Sequence, residues 1–388
     1  MGSASVLNGM GLAGFGRFKI VGHQRGRDLS IWMTVENKKM SEHTPRNMLA
    51  TGCLGFIGSH FIEYAVDAWP ECRFVILDIM DPSCSSLKNV ESAIKSGRVN
   101  VVRGDIRNQD LICHLLTSND IDTVAHLCAN TSVDVSLNGN SLEFTSVNAY
   151  GSHVLLESIR IHNDQRTDKK VEKILMVSTD EVYGSNESST PLCEDAFTSP
   201  TNAYSASKNS MESICQAYIR SYKLPIVIVR PNNVMGIRQA LNKLLPKFIV
   251  RSIEGKKLCI HGDGEQKRSF LACYDVARAL GTVIEKGQLF EIYNVASDRE
   301  YTVNEVTRMI LDAFGRSEHS QWIEHVKQRA FQDCRYLINS SKLESLGWKP
   351  RYTLENLLPG MIDWYARHYQ DWWNVTTIDA YLEPHPRM

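Results

Sequence analysis

Long apolar runs are missing from this sequence: nothing approaches the ~18 uninterrupted apolar residues of a membrane span, and even Lys173-Ile-Leu-Met-Val-Ser178 has the length of a buried strand. The chain is therefore read as crossing no bilayer. Charge of either sign is not in excess, with 43 Lys and Arg against 44 Asp and Glu for a net charge of −1. That balance removes the electrostatic case for nucleic acid or an anionic membrane surface as partner, so any phosphate-bearing ligand must be held by a local site. The ten cysteines form no C-x-x-C pair, and no histidine cluster accompanies them at ligand spacing. Neither a disulfide framework nor a metal site is expected, and reduced cysteines fit a cytoplasmic location.

What is present is an ordinary globular composition, 43% apolar and 22% charged, which excludes disorder, collagen and coiled coil for the chain as a whole. At about 150 residues per domain, 388 residues allow two to three domains or one large α/β domain with insertions. No repeat or low-complexity tract appears.

The first 46 residues stand apart. Met1 to Arg27 holds four basic residues, no acid and several glycines, with no helix or strand period, and residues 1–46 as a whole are read as a disordered extension or a mispredicted start. A targeting peptide is disfavoured because an apolar core with a small-residue cleavage site is missing and serine is sparse; Val6 also breaks the myristoylation pattern.

From Asn47 onward, β-type runs at 48–51, 73–77, 101–103, 123–127, 173–178 and 225–229 alternate with amphipathic segments of helical length. This predicts an α/β fold built on a doubly wound parallel sheet. Helical stripes such as Phe144, Val147, Gly151, Val154 and Leu155, or Met211, Ile214, Ala217 and Tyr218, are read as packing surfaces. After Pro231 the pattern becomes irregular, with Gly and charge around His261-Gly-Asp-Gly264 and helices near 303–314 and 354–369, which predicts a smaller second lobe.

Thr51-Gly-Cys-Leu-Gly-Phe-Ile-Gly58 follows the first strand and opens a helix, placing glycines at 52, 55 and 58. Glycine permits the tight turn and close backbone approach to a pyrophosphate, which rests on the N–H groups of the helix N-terminus. Asp78 ends the next strand, 20 residues after Gly58, where a carboxylate accepts both ribose hydroxyls of an adenosine and repels a 2′-phosphate. NAD is therefore expected rather than NADP. Asp105, after the third strand, either reaches the adenine or is an acidic cap in a solvent loop.

Tyr204-Ser-Ala-Ser-Lys208 sets a phenol and an ammonium four residues apart, on one helical face. Lys208 and the nicotinamide charge are expected to lower the phenol pKa, so that tyrosinate removes a hydroxyl proton while hydride leaves the same carbon. Ser178-Thr-Asp-Glu-Val-Tyr-Gly184 closes a buried strand at the sheet edge where such folds bind ligands. Thr179 suits a sugar hydroxyl, and the adjacent Asp180 and Glu181 can hold different pKa values, one as general acid and one as general base. Simple oxidation needs neither carboxyl, whereas elimination of water needs both.

With His261-Gly-Asp-Gly-x-Gln-x-Arg268 added, these motifs make the chain, from about Asn47 to Tyr381, similar to the nucleotide-diphosphoglucose 4,6-dehydratases of the extended short-chain dehydrogenase/reductase superfamily. It resembles both the dTDP-glucose enzymes and the UDP-glucose enzymes of the rhamnose pathway. The resemblance implies C4 oxidation, loss of water across C5 and C6, and hydride return to C6, with Glu181 as base and Asp180 as acid. It implies an NAD site bordered also by Phe56, Ile57, Ile106, Leu127, Ala129 and Thr131. The nucleotide-diphosphate glucose would be held by Thr131, Asn233, Lys243, Leu244, Arg268, Asn294 and Arg329. It further implies a homodimer through the helices near Ser141–Arg160 and Tyr204–Tyr222.

On this reading, 47–230 is the Rossmann domain with a returning segment near 270–290, 231–381 is mainly the smaller α/β nucleotide-sugar lobe, and 382–388 is a tail. Ser132 replaces a usual His, Met235 a Tyr, Ala330 a Pro, and Ala272 and Tyr274 a Tyr and an acid. These departures bear on nucleotide affinity and substrate preference and leave the reaction type intact. The alternatives are a 4-epimerase or decarboxylase, against which Asp180-Glu181 argues, and an idle scaffold, which would need none of the five reactive side chains.

Overall fold

Parallel strands need crossovers long enough to hold a helix, and the spacing of the β-type runs supplies them. The computed structural model describes residues 42–131, 140–328, 333–372 and Leu382, together with the backbone of three strands nearer the start of the chain. Those three, β1 (Val6–Leu7), β2 (Phe15–Gln24) and β3 (Arg27–Glu36), pair antiparallel in the order β1-β2-β3, with Phe15 opposite Glu36 and Gln24 opposite Arg27. They belong to a unit of their own, Met1–Glu42. This differs from the disordered extension expected there. Leu29, Ile31, Met33 and Val35 alternate at the period of a strand, a signal that begins where the basic, glycine-rich stretch ends.

The second unit, His43–Met388, holds the predicted parallel sheet. Its strands are β4 (Asn47–Thr51), β5 (Arg73–Asp78), β6 (Val99–Arg103), β7 (Thr123–His126), β8 (Lys173–Val177) and β9 (Ile226–Pro231). The chain then builds β10 (Asn233–Met235), β11 (Leu258–His261) and β12 (Lys267–Ala272) of the smaller lobe before the helix Cys273–Lys286 and β13 (Ile292–Val295) return to the large sheet. β14 (Glu300–Thr302) and β15 (Ile323–Val326) complete the lobe. The large sheet has the order β13-β9-β8-β7-β4-β5-β6 and is parallel throughout. Strand order reverses between β4 and β7, so the crevice above their carboxyl ends is the topological switch point of the fold.

Both faces of the sheet are buried, which is why its strands read as continuous apolar runs. On one face Met48, Ala50, Leu175 and Val177 meet Phe61 and Ile62 of the helix Phe56–Ala68, and Val276 and Leu280 of the returning helix. On the other, Leu49, Ile174 and Met176 meet Ile112, Leu155, Ile159, Met211 and Cys215. The Phe144 and Met211 stripes pack as expected, except that Ala217 is exposed. The helix carrying the Phe144 stripe passes through a π-helical segment at Thr145–Gly151 between Ser141–Phe144 and Ser152–Gln165. The lobe's own core joins Phe248, Ile260, Phe270, Tyr301, Ile310 and Tyr365.

Candidate active site

A cleft of about 810 Å³ lies along the carboxyl edge of the large sheet and runs into the lobe. Its walls include every expected cofactor and catalytic residue: Gly52, Gly55, Phe56, Ile57, Gly58, Asp78, Asp105, Ile106, Leu127, Ala129, Thr131, Thr179, Asp180, Glu181, Tyr204 and Lys208. Asn233, Lys243, Leu244 and Arg268 line it from the lobe side. Asn294 does not reach it, and Arg329 lies outside the described residues.

The glycine loop is shaped by close approach. Gly52 has φ +71°, and a Cβ there would stand 2.5 Å from Cys128 Cα; at Gly58 it would stand 2.5 Å from Cys53 Cα. Both spaces are closed by backbone, so only glycine keeps the turn and leaves the N-terminus of the helix Phe56–Ala68 open to a phosphate. Asp78 accepts from Leu54 N–H at 3.0 Å and Met80 N–H at 2.8 Å, so its carboxylate is oriented before any ribose arrives. Burial holds its pKa above the usual carboxylate range. Asp105 lines the cleft and is also gripped by Arg107 through Nε and Nη2, which lowers its pKa; Arg107 in turn bonds Glu143 and Ser146.

Tyr204 and Lys208 project from the helix Ala203–Tyr222, whose start is set by a capping box: Asn202 Oδ1 accepts from Ser205 N–H at 2.9 Å, and Ser205 Oγ accepts from Asn202 N–H at 3.2 Å. The enclosure itself acts in the opposite sense to the acidification expected from Lys208 and the nicotinamide charge. Burial first, then the Glu181 charge, push the Tyr204 pKa well above its ordinary value, while burial pulls Lys208 down to about 8. Desolvation is the largest of these influences on the phenol, and the hydroxyl of Thr179 works against it.

Thr179 caps the short turn Asp180–Tyr183, accepting from Glu181 N–H at 3.3 Å. The two carboxyls are held by different amides. Asn232 Nδ2 donates to Asp180 Oδ2 at 2.7 Å, and Asn202 Nδ2 donates to Glu181 Oε2 at 3.3 Å. Burial raises both pKa values, that of Asp180 to about 7, so Asp180 retains a proton near neutral pH. Two buried carboxyls held by different donors thus stand side by side, close to the tyrosine, an arrangement that suits one to act as an acid and the other as a base.

Sequence reasoning passed over Asn202 and Asn232. Asn202 carried a signal, since Asn before a helical run is an N-cap; Asn232, in the run Arg-Pro-Asn-Asn, carried none that set it apart from Asn233. Asn233 and Ser178 line the cleft, and Asn233 Oδ1 and Ser178 Oγ are buried without a hydrogen-bond partner among the described residues. Asn294 corrects an expectation: it is fully buried behind the Asp180 turn, accepting from Tyr183 O–H at 2.9 Å and donating to the Leu192 carbonyl at 3.2 Å. There it joins a buried ion pair, Arg230 to Glu212, whose guanidinium also donates to the Tyr183 hydroxyl at 2.6 Å. Of the departures from the family pattern, Met235, Ala272 and Tyr274 do not line the cleft, and Ser132 and Ala330 lie outside the described residues. Among the described residues no group of three or more His, Cys, Asp or Glu side chains could hold a metal ion, and no helix is long and apolar enough to cross a membrane.

Comparison with known proteins gives the same neighbourhood. The family model described as GDP-mannose 4,6 dehydratase matches residues 49–361. A trifunctional UDP-glucose 4,6-dehydratase/UDP-4-keto-6-deoxy-D-glucose 3,5-epimerase/UDP-4-keto-L-rhamnose-reductase of Arabidopsis thaliana is 41% identical over 348 residues, covering 89% of this chain and 50% of that protein. The chain thus spans about half the length of this relative. The dTDP-D-glucose 4,6-dehydratase of Homo sapiens is 37% identical over 345 residues, 88% of this chain and 95% of its own. Among solved structures, the dTDP-glucose 4,6-dehydratase of Streptomyces venezuelae with NAD bound superposes with a TM-score of 0.78 at 31% identity, covering 84% of this chain and 99% of that one. A UDP-glucose 4-epimerase of Thermotoga maritima follows at 0.74 and 25% identity, covering 84% and 100%.

Proposed function

The chain belongs to the GDP-mannose 4,6-dehydratase family, and from that membership and its cleft we propose that it dehydrates a uridine- or thymidine-diphosphate glucose to the 4-keto-6-deoxy nucleotide sugar with NAD as cofactor. One observation carries the reaction type. Asp180 and Glu181 are buried beside Tyr204 on separate amide donors, an arrangement that a hydride shuttle alone does not need.

NAD, when bound, supplies a hydride acceptor for C4 and later a donor for C6. The glycine loop would hold its pyrophosphate, and Asp78 its adenosine ribose. Cationic charge in the cleft lowers the Tyr204 pKa, and the phenolate takes the C4 hydroxyl proton while Thr179 orients that oxygen. The resulting C4 ketone acidifies the C5 hydrogen, which Glu181 removes. Asp180 protonates the C6 hydroxyl, which leaves as water. Hydride return to C6 would be matched by return of the Glu181 proton to C5, and the proton taken up by Tyr204 makes good the one that Asp180 gives to the departing water, so one water is lost, no net oxidation occurs and the cofactor would be regenerated in place.

Asn233, Lys243, Leu244 and Arg268 line the lobe end of the cleft, which suits them to the nucleotide diphosphate, with Arg329 as a further contact. Arg268 offers the planar fork that matches a phosphate. Exposed Leu142, Tyr150 and Tyr222 lie on the helices implied for a two-fold interface, which supports a homodimer. Ten free thiols fit a cytoplasmic setting. Incubation with UDP-glucose and with dTDP-glucose, followed by detection of the 4-keto-6-deoxy product in alkali, tests the reading. An epimerase would return the 4-epimer, and an idle scaffold would leave both sugars unchanged.

A further inference from the structure

A third carboxyl stands next to the Asp180-Glu181 pair, outside the cleft wall. Asp333 is 3% exposed. Its Oδ2 accepts from Thr201 Oγ1 at 2.7 Å and from the Tyr336 hydroxyl at 2.5 Å, and its Oδ1 has no partner among the described residues. Two hydroxyls from sequence positions 132 and 3 residues away are more than a surface loop requires.

Each of those hydroxyls belongs to a residue that leads to one of the catalytic carboxyls. Thr201 precedes Asn202, the helix cap that donates to Glu181. Tyr336 offers its carbonyl to Asn232 Nδ2 at 3.3 Å, the same amide that donates to Asp180. The segment is also tied to the substrate end. Arg268 Nη2 donates to the Asp333 carbonyl at 2.8 Å, and its guanidinium lies 4.8 Å from the centre of the Tyr336 ring.

We propose that Asp333 is a positioning residue of the carboxyl pair, fixing through Thr201 and Tyr336 the two asparagines that hold Glu181 and Asp180. The inference rests on the dehydratase reading for its kinetic consequence but not for its geometry. A strut of this kind matters because a donor displaced by an ångström loses most of its hydrogen bond, and the elimination needs both carboxyls in place at once. The hydride step, which relies on Tyr204 and Lys208, does not.

Charge adds a second readout. Glu181 is faced by Asp180 beside it, by Tyr204 from the helix Ala203–Tyr222, by Arg268 from β12, by Lys243 at the start of the helix Leu244–Ile253, and by Asp333 and Tyr336 from this segment. Arg268 and Lys243 favour its ionised form, and Asp333 opposes them. Removing the Asp333 charge while keeping its shape therefore lowers the Glu181 pKa.

The test uses Asp333→Ala, Asp333→Asn and the double variant Thr201→Val/Tyr336→Phe in the full chain with its nucleotide content measured. In single-turnover experiments, Asp333→Ala and the double variant should form transient NADH within about 3-fold of wild type while dehydration falls about 10- to 100-fold. In Asp333→Asn, the carboxyl infrared band that Glu181→Gln abolishes should titrate lower by roughly one pH unit. Equal loss of both steps, wild-type dehydration in the double variant, or an unmoved titration in Asp333→Asn would each overturn the proposal. If Asp333→Ala does not fold, the other two variants decide. If wild type turns over neither sugar, the dehydratase reading fails on its own, and the infrared titration still judges the role of Asp333.

Discussion

The side-chain amide of Asn232 lies 2.7 Å from Asp180 Oδ2, bridging 52 positions of sequence to hold a buried carboxyl whose other oxygen accepts from Thr179 Oγ1 at 3.2 Å. The amide also carries Ser297 N–H on its oxygen at 3.0 Å, so its orientation is set from the opposite side. Replacing Asn232 with Ala should leave Asp180 without that donor, raise its pKa further and slow dehydration about 10-fold, with hydride transfer little changed. Comparing transient NADH formation with product formation checks this.

The pH response follows from the same carboxyls. Asp180 must carry a proton, and its pKa is pushed up to about 7, so dehydration should decline as pH rises through that value. Glu181 must be ionised, so the rate should also fall on the acid side. A carboxyl whose folded pKa exceeds its ordinary 3.8 costs the fold nothing below 3.8 and destabilises it increasingly as pH rises to about 7. Asp180→Asn should therefore be more stable than wild type at pH 8, by on the order of 4 kcal/mol at most, and nearly equal to it at about pH 4. Denaturant unfolding at the two pH values measures the difference.

The cofactor cradle makes a separate prediction. A Cβ at Gly58 would sit 2.5 Å from the Cys53 backbone and 2.8 Å from the Gly52 carbonyl oxygen, so Gly58→Ala must displace the loop that holds the pyrophosphate. Wild-type protein should release close to one equivalent of NAD(H) per chain on denaturation, and Gly58→Ala much less. A wild-type enzyme that required added NAD⁺ in proportion to product would contradict the tightly held cofactor.

Assembly is tested on the exposed side chains. Leu142 is 78% exposed and Tyr150 is 57% exposed about two turns apart on the same helical stretch, a costly display unless another chain covers it. Light scattering should give twice the 43.9 kDa chain mass for wild type, and Leu142→Glu/Tyr150→Glu should shift it toward one chain.

Much of the site was readable because its chemistry is local in sequence. Gly52, Gly55 and Gly58 mark the strand-to-helix turn, and Tyr204 and Lys208 share a helical face by spacing alone. Thr179, Asp180 and Glu181 follow a strand whose apolar run is unmistakable. Strand periodicity likewise located β4 to β9, whereas β13 joins the sheet only after the chain has built part of the smaller lobe. What escaped depended on contacts distant in sequence. Asn232 and Asp333 earn their places through partners 52 and 132 residues away. The burial that raises the Tyr204 pKa is of the same kind, since spacing shows which charge is near a group but not how much water has been removed around it. Asn294 was carried to the substrate by resemblance, while its partners Tyr183 and Leu192 keep it behind the site.

In the proposed reaction, Glu181 removes the C5 proton after Tyr204 has enabled oxidation at C4. Following C5 hydrogen exchange with deuterated water, alongside NADH formation, in Glu181→Gln, Asp180→Asn and Tyr204→Phe tests it directly. Glu181→Gln should form NADH on addition of substrate yet incorporate almost no deuterium at C5; Asp180→Asn should retain exchange but lose water slowly, and Tyr204→Phe should leave NAD⁺ unreduced. Near-normal deuterium incorporation at C5 by Glu181→Gln would contradict the account, because another residue would then be the base.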